Sequence, residues 1–154
     1  TNAEEHLMEN TGDIKGWIMY AQLQKKPRLH GEEIAIRRLR PGKVASSDIL
    51  VSPESVYRSR TVLHRALEYN KASSPENRAQ LIQALGLLEF TNGYEMFGSS
   101  LIEVAVSECK SLRPVLSWRR VREVRRKHVA ANPSQVQKMR RAVLMRFSSR
   151  YVSR

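Results

Sequence analysis

The 154-residue sequence predicts an all-α fold made of antiparallel helical hairpins, and three observations support this prediction. Helix start signals recur, apolar residues return at helical spacing after each of them, and strand patterns are nearly absent. The clearest starts place Ser52, Ser74 or Asn132 before a proline, which suits the first helical position because its missing N–H has no acceptor there. The best strand candidate, 48–51, is too short to build a sheet. Such hairpins are expected to stack as a short α-solenoid, because one pair cannot bury its apolar face alone.

The first part of the chain predicts two helices separated by a long irregular segment. The first helix covers 13–25 and is started by Asn10 and Asp13, which form a weak analogue of a capping box. Residues 27–52 are the main irregular stretch and are expected to be a loop insertion between the first two helices, with a short helix at 32–39 as the alternative within it. The second helix covers 54–69, where apolar residues recur at nearly every turn.

The rest of the chain predicts four more helices and a turn at 91–93, where Asn and Gly are adjacent. The four helices cover 76–90, 97–109, 115–129 and 135–147. The residues expected to face the core at helical spacing are Leu81, Ile82, Leu85, Leu88, Leu101, Val104, Ala105, Trp118, Val121, Val124, His128, Met139, Ala142, Val143 and Phe147. One helical-repeat domain over 1–154 follows from this pattern.

The net charge of +12 is concentrated near one end of the sequence. Residues 110–154 hold 14 Lys and Arg and a single acidic residue, Glu123, whereas residues 1–109 are close to neutral. Such a segment favours RNA or an acidic protein surface as a partner, and a merely solvated face is the third interpretation. The side chains expected to bind RNA or an acidic partner are Arg119, Arg120, Arg122, Arg125, Arg126, Lys127, Arg140 and Arg141.

The range 119–127 is predicted to present a wide cationic stripe on one side of its helix. Such a stripe neutralises phosphates without reading bases, so RNA binding by it would be electrostatic and tolerant of sequence. Binding of single strands also requires exposed aromatic rings for stacking, and the spacing of Trp118 to Val121 and Val124 places its ring in the core.

No group of residues in the sequence indicates catalysis, a cofactor or a metal. The four histidines are far apart and lack metal-ligand spacing, and no glycine-rich phosphate loop is present. Cys109 lies on an apolar helix face and is expected to be a buried, inert thiol. No apolar run approaches the roughly 18 residues that span a bilayer. A non-enzymatic protein without a membrane span is therefore predicted.

Two segments resemble the two helices of a half-a-tetratricopeptide (HAT) repeat. The range 10–24 resembles the first helix, and the range 59–68 resembles the second, in which a small residue and Arg precede an aliphatic pair and an Arg-Ala-Leu triplet. The residues that carry this motif are Asp13, Trp17, Tyr20, Arg60, Arg65, Ala66 and Leu67. The resemblance implies that Trp17 packs between helices and that Ala66 allows a close helix approach.

Among HAT proteins, the chain is most similar to the nuclear-RNAi-defective-two family. The similarity rests on a lead-in at 5–10, on Gln24 at the end of the Trp helix, on the range 65–70 that leads to a Leu-rich helix, and on the stretch 147–154. By this resemblance, the chain is expected to be a fragment of a longer helical array.

The sequence departs from that family at three positions. Thr11 stands where the family has Pro, Met139 stands where it has Trp, and Ala142 stands where it has Tyr or another large residue. Because two of these lie in the last predicted helix, the later repeats match the family less closely than the first.

The resemblance implies a nuclear, non-enzymatic scaffold that mediates protein–protein interaction in RNA processing, RNA surveillance or RNA-mediated silencing of nascent transcripts. The implied partners are an exosome-linked RNA helicase or Argonaute and other nuclear RNAi factors, and no cofactor is implied. A direct, sequence-tolerant RNA-binding module that uses the helix at 119–127 is the alternative. A homodimer whose end repeats pair is a third hypothesis.

Overall fold

A computed structural model describes residues 2–25, 53–112 and 118–148, and all regular structure within these ranges is helical. The all-α prediction is confirmed. The helices are α1 (Asn2–Glu9), α2 (Ile14–Gln24), α3 (Pro53–Tyr69), α4 (Pro75–Thr91), α5 (Glu95–Glu108), α6 (Trp118–Ala131) and α7 (Pro133–Phe147). The predicted loop insertion at 27–52, the side chain of Trp118 and the stretch after 148 lie outside the described residues.

Contacts between residues divide the chain into two compact units, Thr1–Arg65 and Ala66–Arg154, and the division falls within α3. Each unit has its own set of buried apolar side chains. The single helical-repeat domain over 1–154 and its HAT-type stacking stay predictions.

The first unit is organised around Trp17, whose ring is 1% exposed. Its indole Nε1 donates a 2.9 Å hydrogen bond to the main-chain oxygen of Thr11, so the buried polar atom of this side chain is satisfied. Leu7 of α1 is 2% exposed, and α1 packs against α2. The α1 helix was not among the sequence-based predictions. Its Glu4 forms a 2.9 Å ion pair with Arg65 of α3.

The start of α2 differs from the predicted capping box. Asp13 is the N-cap, and its side chain accepts a 3.1 Å hydrogen bond from the main-chain N–H of Gly16. Asn10 instead completes α1, because its side-chain Nδ2 donates to the main-chain oxygen of His6 at 3.0 Å. The prediction that Asn10 starts α2 is therefore wrong, since its amide serves the preceding helix.

In the second unit, α4 and α5 form an antiparallel hairpin around the turn at Asn92–Tyr94. Gly93 adopts a φ of 98°, and the Tyr94 N–H donates to the Glu89 carbonyl oxygen at 2.9 Å, which is the bond of a Schellman-type helix end. The predicted turn at 91–93 is confirmed. Glycine suits this position because only it adopts a positive φ without a steric cost.

The helix α4 is buried on nearly every side. All four of its predicted core residues are at most 1% exposed, and polar side chains on its other faces are buried as well. The buried residues of α4 are Arg78, Ala79, Leu81, Ile82, Leu85, Gly86, Leu88, Glu89 and Phe90. The hairpin partner α5 then packs against both α6 and α7.

The remaining helix bounds follow their caps. Ser74 and Asn132 accept hydrogen bonds from main-chain N–H groups three residues later, each at 3.2 Å, which confirms both predicted starts. The helix predicted at 97–109 covers Glu95–Glu108, and the one predicted to end at 129 ends at Ala131. Shifts of one or two residues are usual for helix ends, and residues 113–117, where the second of these helices was predicted to begin, lie outside the described residues.

Two predicted core positions are corrected by the burial pattern. Ala142 is exposed, and the buried residues of α7 are Val136, Val143 and Phe147. His128 is only half-buried, and its Nε2 lies 4.0 Å from Oε2 of Glu95. Ala142 lies on the outer side of α7, whereas His128 faces α5 at the edge of the helix contact.

Candidate polyanion-binding face

The eight cationic residues singled out in the sequence fall into two groups in the structure. Six of them are exposed and form no ion pair within the described residues: Arg119, Arg120, Arg122, Arg126 and Lys127 on α6, and Arg141 on α7. The other two, Arg125 and Arg140, bind the same carboxylate, Glu103 of α5.

The outward orientation of the α6 cations follows from the apolar residues of the same helix. Val121 is 1% exposed and belongs to a cluster with Phe90 and Ile102, against which Val124 also packs. With Val121 and Val124 held one helical turn apart on the inner side, the cations of α6 other than Arg125 project into solvent, and Arg122 and Arg126 do so beside α5.

Glu103 connects three helices of the second unit. Its Oε2 pairs with Nε of Arg125 on α6, and its Oε1 lies 3.3 Å from Nε of Arg140 on α7. The side chain of Arg125 is 16% exposed, and its Nη1 also donates to Oγ of Ser100 at 3.0 Å. Arg125 therefore serves helix packing, whereas Arg140, with 54% of its side chain exposed, stays accessible.

The exposed cations of α6 have no such partner in the part of the chain that the structure describes. Within the described ranges, none of the five forms an ion pair with a carboxylate. Charge that the fold does not neutralise is available to an external anion, and a guanidinium at the surface loses little solvation if it stays partly hydrated in the complex.

An open groove lies between α5 and α6, next to the cationic stripe. It encloses 410 Å³ and has an apolar floor, a guanidinium rim and the Glu103 carboxylate at its α5 side. Its lining residues are Ser99, Glu103, Val121, Arg122, Arg125, Arg126 and Val129. Val129 is 43% exposed, although α6 buries Val121 almost completely.

A second open depression follows the outer side of α7. It encloses 480 Å³ and is lined by Lys138, Arg141, Ala142 and Met145 among others. Met145 is 64% exposed. This surface also combines aliphatic and cationic side chains, but all of its described lining residues come from one helix, so it lacks a second wall.

The residues of the HAT-type motif lie in the buried cores of the helical units or at their borders. Trp17, Ala66 and Leu67 are buried, Asp13 caps α2, and Arg65 pairs with Glu4. The last two motif residues, Tyr20 and Arg60, are half-buried. Trp17, Asp13 and Arg65 thus take part in packing, helix capping and ion pairing within the first unit.

Sequence reasoning did not single out Glu103 and Val129. Glu103 is an acidic residue between apolar neighbours on a helix that faces the basic end of the chain, and this setting is the signal that could have indicated an ion pair. Val129 lies one turn after Arg126, so its place beside the arginines could have been found from helical spacing.

The described residues give no arrangement for metal binding and no membrane-spanning helix. No group of three or more His, Cys, Asp and Glu side chains among them is placed to hold a metal ion. None of their helices is both long and apolar enough to cross a bilayer. Cys109 is 7% exposed, and its Sγ lies 3.4 Å from Oγ of Ser111.

The chain was compared with protein-family models, curated proteins and solved structures. None of the three comparisons found a match.

Proposed function

We propose that the chain is a non-enzymatic helical scaffold of a nuclear factor that acts in RNA processing, RNA surveillance or RNA-mediated silencing. The resemblance of 10–24 and 59–68 to a HAT repeat supports this proposal, and the all-helical fold is compatible with it. Its partners are then nuclear proteins, namely an exosome-linked RNA helicase or an Argonaute protein.

The observation that carries the proposal is the cationic face of α6. A scaffold needs a surface that its own folding does not use, and the five exposed cations of this helix are such a surface. Their counterpart on a protein partner is an acidic patch, which steers association and sets specificity.

The test is co-precipitation of the two named partner classes from nuclear extract. The triple variant R119E/R122E/R126E should lose the partner, because each reversed charge now repels an acidic surface. The variant K15E/K110E alters exposed lysines elsewhere and should keep it. Retention of both partner classes by the triple variant, with unchanged helical content by circular dichroism, would show that α6 is not the binding face.

A second candidate function is direct binding of RNA, and the spacing of the α6 arginines favours it. Arg119, Arg122 and Arg126 recur at helical steps on the exposed side, so they can contact successive phosphates. Fluorescence anisotropy of a labelled single-stranded RNA, titrated across salt concentrations, tests this function. A log–log slope of about −3 or steeper corresponds to some four phosphate contacts, and absence of binding at low salt excludes RNA as a direct ligand.

A further inference from the structure

We propose that the groove between α5 and α6 binds a short acidic segment of a partner protein, with an aliphatic side chain of that segment seated on Val121 and Val129. This inference rests on the proposed scaffold function and names the chemistry of the partner. It concerns the groove itself rather than the whole cationic face.

The floor of the groove is apolar and partly exposed to solvent. Val129 is 43% exposed, and it lies one helical turn beyond Arg126 and two turns beyond Val121. An aliphatic side chain placed there removes Val129 from water, at about 25 cal/mol for each Å² of apolar surface buried. The 410 Å³ of the groove leaves room for such a side chain.

The rim of the groove is cationic. Arg122 and Arg126 are four residues apart, so they neighbour each other on the exposed side of α6. Neither forms an ion pair within the described part of the chain. Carboxylates on either side of the seated aliphatic residue can each take a bidentate bond from one guanidinium.

The α5 wall argues against a nucleic acid in this groove. Glu103 lies on that wall with 33% of its side chain exposed, and although it pairs with Arg125 and Arg140 it adds an anion to the lining. A continuous phosphate backbone crossing the groove would approach this carboxylate, whereas an aliphatic side chain would not. The described lining also contains no aromatic ring on which a base could stack.

The experiment measures anisotropy of a fluorescein-labelled peptide, Glu-Asp-Leu-Leu-Asp-Glu, with the full chain. The variant R122E/R126E should weaken binding by about tenfold or more, because both rim charges then repel the peptide. The matched control R119E/R120E makes the same charge change on the same helix outside the groove, and it should weaken binding less than about threefold, as expected for screened long-range charge. Equal losses in the two variants would overturn the proposal.

The apolar contact is tested from both sides. V129S should weaken binding of the peptide by about threefold to tenfold, since the open groove buries only part of the apolar surface that the substitution removes. A peptide with Ser in place of both Leu tests the same contact without changing the protein, and it should bind correspondingly more weakly. If neither change affects binding, the groove does not seat an aliphatic side chain.

A single-stranded uridine 20-mer serves as the competing probe. We expect V129S to leave the affinity for this RNA unchanged. We expect R119E/R120E and R122E/R126E to weaken RNA binding equally. The proposal is supported if unlabelled peptide displaces the labelled peptide and the RNA, bound elsewhere on α6, does not. If instead RNA alone binds and R122E/R126E selectively abolishes it, the groove is a phosphate site. If the wild-type chain does not bind the peptide but still co-precipitates the nuclear partners, the groove is not a binding site for an acidic segment. The proposed scaffold function is unaffected by that result.

Discussion

The Arg78 guanidinium donates a 2.9 Å hydrogen bond from Nη2 to the main-chain oxygen of Phe147, 69 residues later in the chain. Its Nη1 also reaches the main-chain oxygen of Asn70 at 3.4 Å. Phe147 ends α7 and Asn70 follows the last residue of α3, so both acceptors belong to helix C-termini, where carbonyls lack intrahelical donors and the helix dipole is negative. Arg78 is 2% exposed, and its burial lowers the pKa of the guanidinium, while the Glu108 carboxylate opposes that shift.

Replacing Arg78 by Met should lower the free energy of unfolding by about 2 kcal/mol, because a charged hydrogen bond to a buried carbonyl is lost. The Asn70 carbonyl is less affected, since it also accepts from the Ser73 N–H. Arg78→Lys is the control and should recover only part of the loss, because one ammonium cannot match a planar fork that spans two carbonyls. Urea unfolding followed by circular dichroism measures both. If Arg78→Met unfolded at the same urea concentration as the wild type, the hydrogen bonds of the guanidinium to the helix C-termini would not stabilise the fold.

Gly98→Ala should destabilise the second unit by about 2–3 kcal/mol, because the added methyl group meets main-chain atoms that cannot move independently. A Cβ at Gly98 would lie 2.5 Å from the Phe90 nitrogen and 2.6 Å from the Gly86 oxygen. This result reverses the usual gain of up to about 1 kcal/mol for Gly→Ala within a helix. Gly12→Ala is the matched control, since nothing lies within 4 Å of a Cβ there. Equal unfolding midpoints for the two variants in guanidinium chloride would contradict the close helix crossing.

The helices from α2 onward were predictable because their signals are local. A cap such as Ser74 or Asn132 determines where a helix begins from the few residues beside it, and the apolar period determines which side is inward. The short α1 helix lacks both signals. An isolated helix of this length is marginal in water, and α1 depends on tertiary contacts such as the burial of Leu7 and the pair between Glu4 and Arg65.

The sequence predicted which cations belong to the candidate site, but it could not predict which of them form ion pairs with other helices. Helical spacing correctly placed Arg119, Arg122 and Arg126 on the exposed side of α6. It could not show that Arg125 turns toward α5, because the partner that draws it there, Glu103, belongs to another helix. Periodicity describes one helix at a time, whereas the groove exists only once two helices are packed.

Glu103→Gln should lower the free energy of unfolding by about 1–2 kcal/mol, because the largely buried Arg125 loses its counter-charge. Arg140→Gln removes the other pair of the same carboxylate and should cost less than about 1 kcal/mol, since that arginine is mostly in water. Thermal unfolding of both variants at low and high salt separates the two contributions. The result that contradicts this assignment is a larger loss for Arg140→Gln than for Glu103→Gln.

Asp13→Ala should destabilise the first unit by about 1 kcal/mol, because α2 loses the side-chain acceptor of its first turn. Asp13→Asn keeps an amide oxygen for the Gly16 N–H, so it should retain most of the stability. Asp13 also has Oδ2 at 3.4 Å from Nε2 of His6, an ion pair only when that imidazole is protonated. Hydrogen exchange of the α2 amides reports both variants. Equal protection loss in Asn and Ala would assign the role of Asp13 to its charge, whereas loss in Ala alone assigns it to the hydrogen bond that starts the Trp17 helix.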